Sequence, residues 1–270
     1  MKAGTLMKRK KSIGENLFDL LNVIALLLFM MATLLPFLHI AFASVSMPSY
    51  VAQKTGFILW PKGFVLDSFE RVFQNPMILL GYKNTLIYVV FGTLINILLT
   101  SLGAYGLSRK GMYFRKPLML FITFTLFFSG GLIPSYLLVQ SLHMRDTVWA
   151  MIVPSAISTW NLIVMRTSFE GIPASLEESA RLDGANDFVI LFKVVLPLSM
   201  PVVAVMVLFY GVGNWNAWFN AMIFLSKREL FPLQLILREI LIINNTESMM
   251  TTANTVDKAQ IGITIKYATI

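Results

Sequence analysis

Residues 173–197 read PASLEESARLDGANDFVILFKVVLP. This is the one long polar interruption in a chain otherwise made of apolar runs of bilayer length. Ser175 stands three residues before Glu178, the spacing of a capping box, and predicts a short helix from Leu176 to Leu182. Pro173 fixes the entry. Asp183-Gly184 supplies a turn, with Gly184 suited to a positive φ. Asn186 or Asp187 can cap a second helix. Phe188, Leu191, Phe192 and Val195 fall at i, i+3, i+4 and i+7, one apolar stripe. Leu196-Pro197 closes it. The pattern predicts a helix-turn-helix along a membrane face, its second helix seated by the stripe and its first offering Glu177, Glu178 and Arg181 outward. A charged helical segment between apolar spans is either a contact surface or an amphipathic cap.

Working outward, the composition demands lipid. Hydrophobic residues make up 56% of the 270, charged residues 13%, and mean hydropathy is +0.71. A soluble domain of this size cannot hide that much apolar surface. Cysteine is absent, which excludes disulfides and thiolate chemistry, and His39 and His143 are the only histidines, so a histidine-rich metal site is unavailable. The expected class is all-α, a polytopic membrane bundle of six spans. Five uncharged stretches meet the length of about 20 residues that a span needs: 20–45, 84–108, 117–144, 147–165 and 194–226. A sixth begins near Ala259 but contains Lys266 and is short, so it reads as a truncated last helix. The first stretch is too long for a cleavable signal and lacks a small-residue cleavage pattern. Residues 1–19 form a leading polar segment and 20–270 one helical domain. Pro36, Pro134 and Pro154 are expected to kink their helices, and Gly130-Gly131 to allow close helix approach or local unwinding.

The net charge of +8 and pI near 9.7 do not point to nucleic acid, because the cations sit at span ends. Lys2, Lys8, Arg9, Lys10 and Lys11 lead the chain. Arg109, Lys110, Arg115 and Lys116 follow the second span, and Arg166, Arg181 and Lys193 attend the polar segment. The positive-inside rule puts these three regions, and the N-terminus, in the cytoplasm of a multi-pass membrane protein.

Glu178-Ser179-Ala180, then Gly184, then Val194-x-Leu196-Pro197 resembles the EAA loop of bacterial ABC-importer permeases. That family's pattern is Glu-Ala-Ala, three residues, Gly, nine residues, Ile, one residue, Leu-Pro. Ser179 and Val194 are the two departures, and neither changes helix length or face. The continuation Arg181-Leu182-Asp183-Gly184-Ala185 is similar to the form in carbohydrate-uptake permeases, the second permease subunit of maltose-type systems. The resemblance covers about residues 84–267. It implies that loop 169–197 docks on a separate ATPase homodimer in the bacterial plasma membrane, through Glu177, Glu178, Ser179, Ala180, Arg181, Asp183, Gly184 and Ala185. It also implies a heterodimer with a second permease subunit, an extracellular solute-binding protein and a carbohydrate cargo. ATP and Mg would be held by the partner ATPase, with no cofactor in this chain. Phe128-Ser129-Gly130-Gly131-Leu132-Ile133-Pro134, Trp160-Asn161-Leu162 and Pro232-Leu233-Gln234-Leu235 are similar to the branch for polysaccharide fragments, including oligouronates.

The residues agree with a transport subunit and not an enzyme. No G-x-x-x-x-G-K-[ST] loop occurs, and no catalytic dyad or triad stands out. Polar groups in spans face a cavity or a partner helix. The fifth stretch is densest in them: Tyr210, Asn214 and Trp218 at i, i+4 and i+8 share one face, Asn216 and Asn220 a second. Amides beside aromatic rings suit sugar hydroxyls and C–H faces, although a tryptophan there also suits an interface anchor. Asn96 and Asn161 read as helix–helix glue, His39 as structural. Residues 227–258 resemble the loop that meets a binding protein in sugar importers, with a mobile tip at 244–252. The rival is a secondary transporter or channel, which would call for an intramembrane acid or arginine; the long runs contain none. A permease for amino acids or phosphonate is a second rival and would favour a cation in the pathway.

Overall fold

The computed structural model describes residues 12–54, 56–109 and 111–250. The leading cations Lys2, Lys8, Arg9, Lys10 and Lys11, together with Lys110, Thr251, Thr252 and the stretch from Ala259, lie outside the described residues. Among the described residues every regular element is helical. The chain divides into two compact units, Met1–Gln74 with Ile240–Ile270, and Asn75–Glu239.

In the first unit, α1 (Ile13–Ser44) starts where Ser12 N–H donates to the Glu15 carboxylate at 2.9 Å. None of its most apolar window is buried within the chain, as expected of a helix solvated by lipid. It runs through Pro36 without a break, so that proline does not end the helix. The chain then folds back through α2 (Pro48–Gln53) and α3 (Asp67–Gln74). Met47 N donates to Lys62 O and Val65 N to Val45 O, each at 3.0 Å. His39 Nδ1 accepts from Ile58 N at 2.9 Å, a structural tie over a small core of Ala43, Val51 and Ile58.

The pillar of the second unit is α4 (Pro76–Ser108), capped by Asn75, whose side chain accepts from Met77 N. Its 33 residues span about 50 Å at about 1.5 Å per residue. Around it stand α5 (Arg115–Phe127), α6 (Leu132–Ser141), α7 (Trp149–Ile152) and α8 (Thr159–Glu170). The chain continues through α9 (Ala174–Leu182), α10 (Asp187–Ile190), a π-helical turn (Leu191–Val195), α11 (Leu196–Leu198), α12 (Met200–Trp215) and α13 (Trp218–Phe224). The last, α14 (Leu233–Met250), begins in this unit. The core joins α4, α8 and α12 through Ala104, Met165, Phe169, Leu191, Val195 and Met206.

Among the described residues two helices, α1 and α4, are each long and apolar enough to cross a membrane, or up to four spans if two bent pairs each count as one. The stretch 117–144 is not a straight span: α5 and α6 meet at 114°. The break falls at the expected glycine pair, where Gly131 takes φ +83°, and Pro134 sits in the first turn of α6 rather than at a kink. The stretch 147–165 is divided too, because Pro154 follows α7 and has no N–H to continue it. The stretch 194–226 breaks twice, α12 turning 88° from the helical run Asp187–Leu198 and α13 restarting after Asn216-Ala217. Hydropathy records only how apolar a run is, so it joined segments that the backbone separates. Residues 244–250, expected in the tip of a loop, continue α14.

Candidate coupling surface and polar seam

The helix-turn-helix is present, with its start and its stripe altered. The first helix, α9, begins at Ala174 after Pro173, and no side chain caps it. Ser175 therefore lies inside the helix, and its carbonyl accepts from Ser179 Oγ at 2.9 Å. The capping box is not formed, because the proline-set entry starts the helix before Ser175 can act. The turn matches expectation. Gly184 has φ +82°, Gly184 N donates to Arg181 O at 3.0 Å and Ala185 N to Ala180 O at 2.9 Å. These are the paired bonds of a Schellman ending. A Cβ on Gly184 would meet nothing within 4 Å, so backbone conformation, and not crowding within this chain, asks for glycine. Asn186 Oδ1 then caps α10 by accepting from Val189 N at 2.9 Å.

The buried face of the second helix is Ile190, Leu191 and Val195, while Phe188 is 65% and Phe192 46% exposed. The expected stripe of Phe188, Leu191, Phe192 and Val195 assumed 3.6 residues per turn. The π turn at Leu191–Val195 widens the spiral and rotates the two phenylalanines outward.

Glu177 is not outward. It is buried and forms an ion pair with Arg109, just past the end of α4. Arg109 also lies over the Tyr105 ring at 4.7 Å and donates to Phe169 O at 3.3 Å. Burial draws the pKa of its guanidinium below the usual arginine value. Arg115 and Arg166 both pair with Glu170 and both donate to Leu107 O. Arg181 pairs with Asp187, which also accepts from Tyr105 OH at 3.3 Å. Glu178, Ser179 and Asp183 are exposed, and Ala180 and Ala185 are half-buried against the core. A cleft of about 1140 Å³ opens beside them, lined by Tyr105, Arg109, Arg115, Glu177, Arg181 and Phe188. The hairpin is thus pinned at its base by ion pairs and open at its tip. Cations placed by the sequence at the membrane surface are also the anchors of this fastening, a role their spacing did not reveal.

A second polar group lies inside the bundle. Thr93, Asn96 and Thr100 occupy one face of α4. Asn214 Nδ2 donates to Asn96 Oδ1 at 3.0 Å and to Thr93 Oγ1 at 3.3 Å. Tyr210 OH is 2.7 Å from Thr100 Oγ1 and accepts from Ser158 N at 3.0 Å. Asn96 Nδ2 donates to Ser155 O and Ala156 O at 2.9 and 2.8 Å, acting as glue as the sequence suggests. The non-helical backbone between α7 and α8 is thereby satisfied, which is what allows it within an apolar bundle. Gly92 makes room: a Cβ there would come 2.8 Å from Asn214 Nδ2. Tyr210 and Asn214 are thus engaged between helices. Asn216 is exposed and donates to Val212 O in its own helix. Trp218 and Asn220 are half-buried beyond the helix break, so the expected face shared by Tyr210, Asn214 and Trp218 is interrupted. Asn161 is buried in α8.

Broken apolar helices around a long pillar, with a stapled helix-turn-helix at one end, define a membrane permease. No protein-family model matches the chain. It is 44% identical over 234 residues to the polygalacturonan/rhamnogalacturonan transport system permease protein YtcP of Bacillus subtilis, covering 86% of this chain and 80% of that protein. It is 37% identical over 230 residues to the protein LplC of the same organism, covering 85% and 78%. It matches a solved bacterial ABC transporter involved in the import of the acidic polysaccharide alginate, with a TM-score of 0.86 and 29% identity, over 97% of this chain and 94% of that one. The chain belongs to the carbohydrate ABC-transporter permease family, whose members are transport components and not enzymes.

Proposed function

We propose that the protein is a permease subunit of a binding-protein-dependent ABC importer that moves an oligosaccharide from a complex polysaccharide inward across the bacterial plasma membrane. The membrane domain has six spans, and the N-terminus is cytoplasmic. A second permease subunit completes the channel. An ATPase homodimer binds ATP and Mg and docks on residues 169–197, where the exposed Glu178 meets it and Gly184 permits close backbone approach. An extracellular binding protein delivers cargo to the segment after α13. Trp218, Asn216 and Asn220 line the path, with Tyr210 and Asn214 holding its wall. The names of the relatives, polygalacturonan/rhamnogalacturonan for one and the acidic polysaccharide alginate for a solved one, support a polysaccharide fragment as cargo.

The observation that carries this reading is the construction of the hairpin: fastened at its base through Glu177 and Arg109, bare around Gly184. ATP-driven closure is a rigid-body motion, and only a stiff element can pass it to the membrane helices. The test is reconstitution of the complete importer in proteoliposomes, with uptake of labelled trigalacturonate measured with and without ATP. Uptake that requires ATP and is lost in Gly184→Val, in a complex still membrane-inserted, agrees with the reading. Uptake that continues without any ATPase subunit overturns it.

A further inference from the structure

Arg238 has no place in the site described above. Its guanidinium carbon lies 3.6 Å from the centre of the Trp218 ring. Its Nη1 is enclosed and has no hydrogen-bond partner. The neighbouring carboxylate of Glu239 is taken by Arg228 at 2.7 Å, and among the described residues no carboxylate pairs with Arg238. Arg238 is half-buried, and an enclosed N–H group left without an acceptor is unfavourable and marks a place where an anion can bind.

The location separates it from the coupling hairpin. The segment before α14 is bound to the first turns of α4: Asn84 Nδ2 donates to Glu229 O at 2.7 Å and Leu233 N to Thr85 Oγ1 at 2.8 Å. A Cβ on Gly81 would come 2.6 Å from Ile236 Cδ1 and 3.0 Å from Leu233 Cα, so α14 lies directly on the pillar there. Arg109 and the hairpin are at the other end of α4. Trp218 opens α13 immediately after the break at Asn216-Ala217, in the stretch richest in amides and aromatic rings.

We infer that Arg238 on the Trp218 ring is a recognition subsite for the carboxylate of an acidic sugar, a uronate residue of the cargo. The guanidinium offers a planar fork that matches a carboxylate in two parallel bonds. Stacking on the indole holds that fork in one orientation. The edge and remaining face of the tryptophan suit the C–H face of a pyranose. A uronate presents both features in one ring, whereas a neutral sugar leaves the guanidinium unpaired. A site built to bond a polar group discriminates strongly against the analogue lacking it. The inference rests on the carbohydrate-importer reading above and adds the charge of the cargo.

The complete importer in proteoliposomes tests it, with saturating binding protein and two probes, trigalacturonate and the same trisaccharide reduced at its carboxyl groups. The quantity read is the maximal uptake rate of the acid relative to the neutral sugar. Arg238→Gln is expected to lower the acid rate about ten-fold and the neutral rate less than about two-fold, and Arg238→Lys to fall between. Should Arg238→Gln fail to assemble, Arg238→Lys keeps the charge without the fork and carries the same comparison. Equal losses for both sugars overturn the subsite and leave Arg238 a packing residue. Unchanged acid uptake also overturns it, and points to a carboxylate of a companion subunit on the guanidinium. If the unaltered importer moves the neutral sugar but not the acid, the subsite falls while the importer reading stands. If it moves neither, both fall.

Discussion

Arg109 and Glu177 join the end of the α4 pillar to the first helix of the hairpin through an ion pair shielded from solvent, with side-chain exposures of 22% and 9%. The bond crosses between segments far apart in sequence. It makes the hairpin and the pillar one mechanical piece, since a push on α9 is felt at Arg109 before it passes through α10 and the π turn. Breaking one member of such a pair strands the other charge, at about 3 kcal/mol. Glu177→Gln is therefore expected to lower the thermal stability of the detergent-solubilised complex. The double variant Glu177→Gln with Arg109→Gln should lose clearly less than the sum of the two singles. Additive losses in that double-mutant cycle would mean that the two charges do not interact.

Gly184 separates backbone strain from docking. Its positive φ costs a side chain about 1 kcal/mol or more, less for asparagine, which tolerates this region. Nothing in the chain opposes a Cβ there. Gly184→Asn should therefore leave stability nearly unchanged. If the ATPase lies against this glycine, the same variant should still lose most ATP-coupled uptake. Normal coupling in Gly184→Asn would mean that the backbone conformation is all the position requires.

The polar seam predicts a graded response. Asn214→Ala removes two interhelical bonds, each of about 0.6 kcal/mol in a membrane setting, and leaves Asn96 Oδ1 short of a donor. Gly92→Ala displaces the same amide sterically, so the two variants should lower melting temperature by similar amounts. Combining them should add little. A double variant that melts far below both singles would show that Gly92 serves some other contact.

Gly81→Ala should be harsher, because the new methyl meets the backbone of Leu233 as well as a flexible Ile236 tip. Overpacking of this kind costs about 1–3 kcal/mol. Pairing it with Ile236→Val should recover only part of the loss, since the Leu233 contact remains. Full recovery, read by melting temperature, would place the whole conflict on Ile236.

Asp146 gives a pH dependence. Its carboxylate accepts from the backbone amides of Ser226 and Lys227. Mainly through the Ser226 bond, its pKa is held below the ordinary carboxylate value. Because the folded value is the lower one, the stabilisation is complete above the unfolded pKa of about 3.9 and is lost as pH falls through the folded value. Asp146→Asn should remove that acid-side component of the melting curve while neutral-pH behaviour changes little. A variant curve parallel to that of the parent below pH about 4 would exclude Asp146 as its source.

Local chemistry made the hairpin readable: Asp183-Gly184 announces a turn with a positive φ, and Asn186 a cap, and both are found. The same logic failed at Ser175, where the nearby proline set the helix start, and at Phe188 and Phe192, where a π turn changed the period on which the stripe depended. Hydropathy located the apolar stretches but could not show their corners, which depend on tertiary bonds such as Asn96 to Ser155 O. Glu177 and Arg109 lie far apart in sequence, and charge alone does not say which partner a side chain will find. Arg238 lay outside every apolar run, so a search for charges within spans passed over it.

The corner between α5 and α6 has a further implication. Residues 128–131 are exposed within this chain and interrupt an apolar stretch. Peptide groups that have left a helical ladder cannot face hydrocarbon tails, which neither donate nor accept. In the assembled membrane something able to exchange hydrogen bonds must press against this elbow, whether a companion polypeptide or a column of water, and fatty acyl chains must be kept from it.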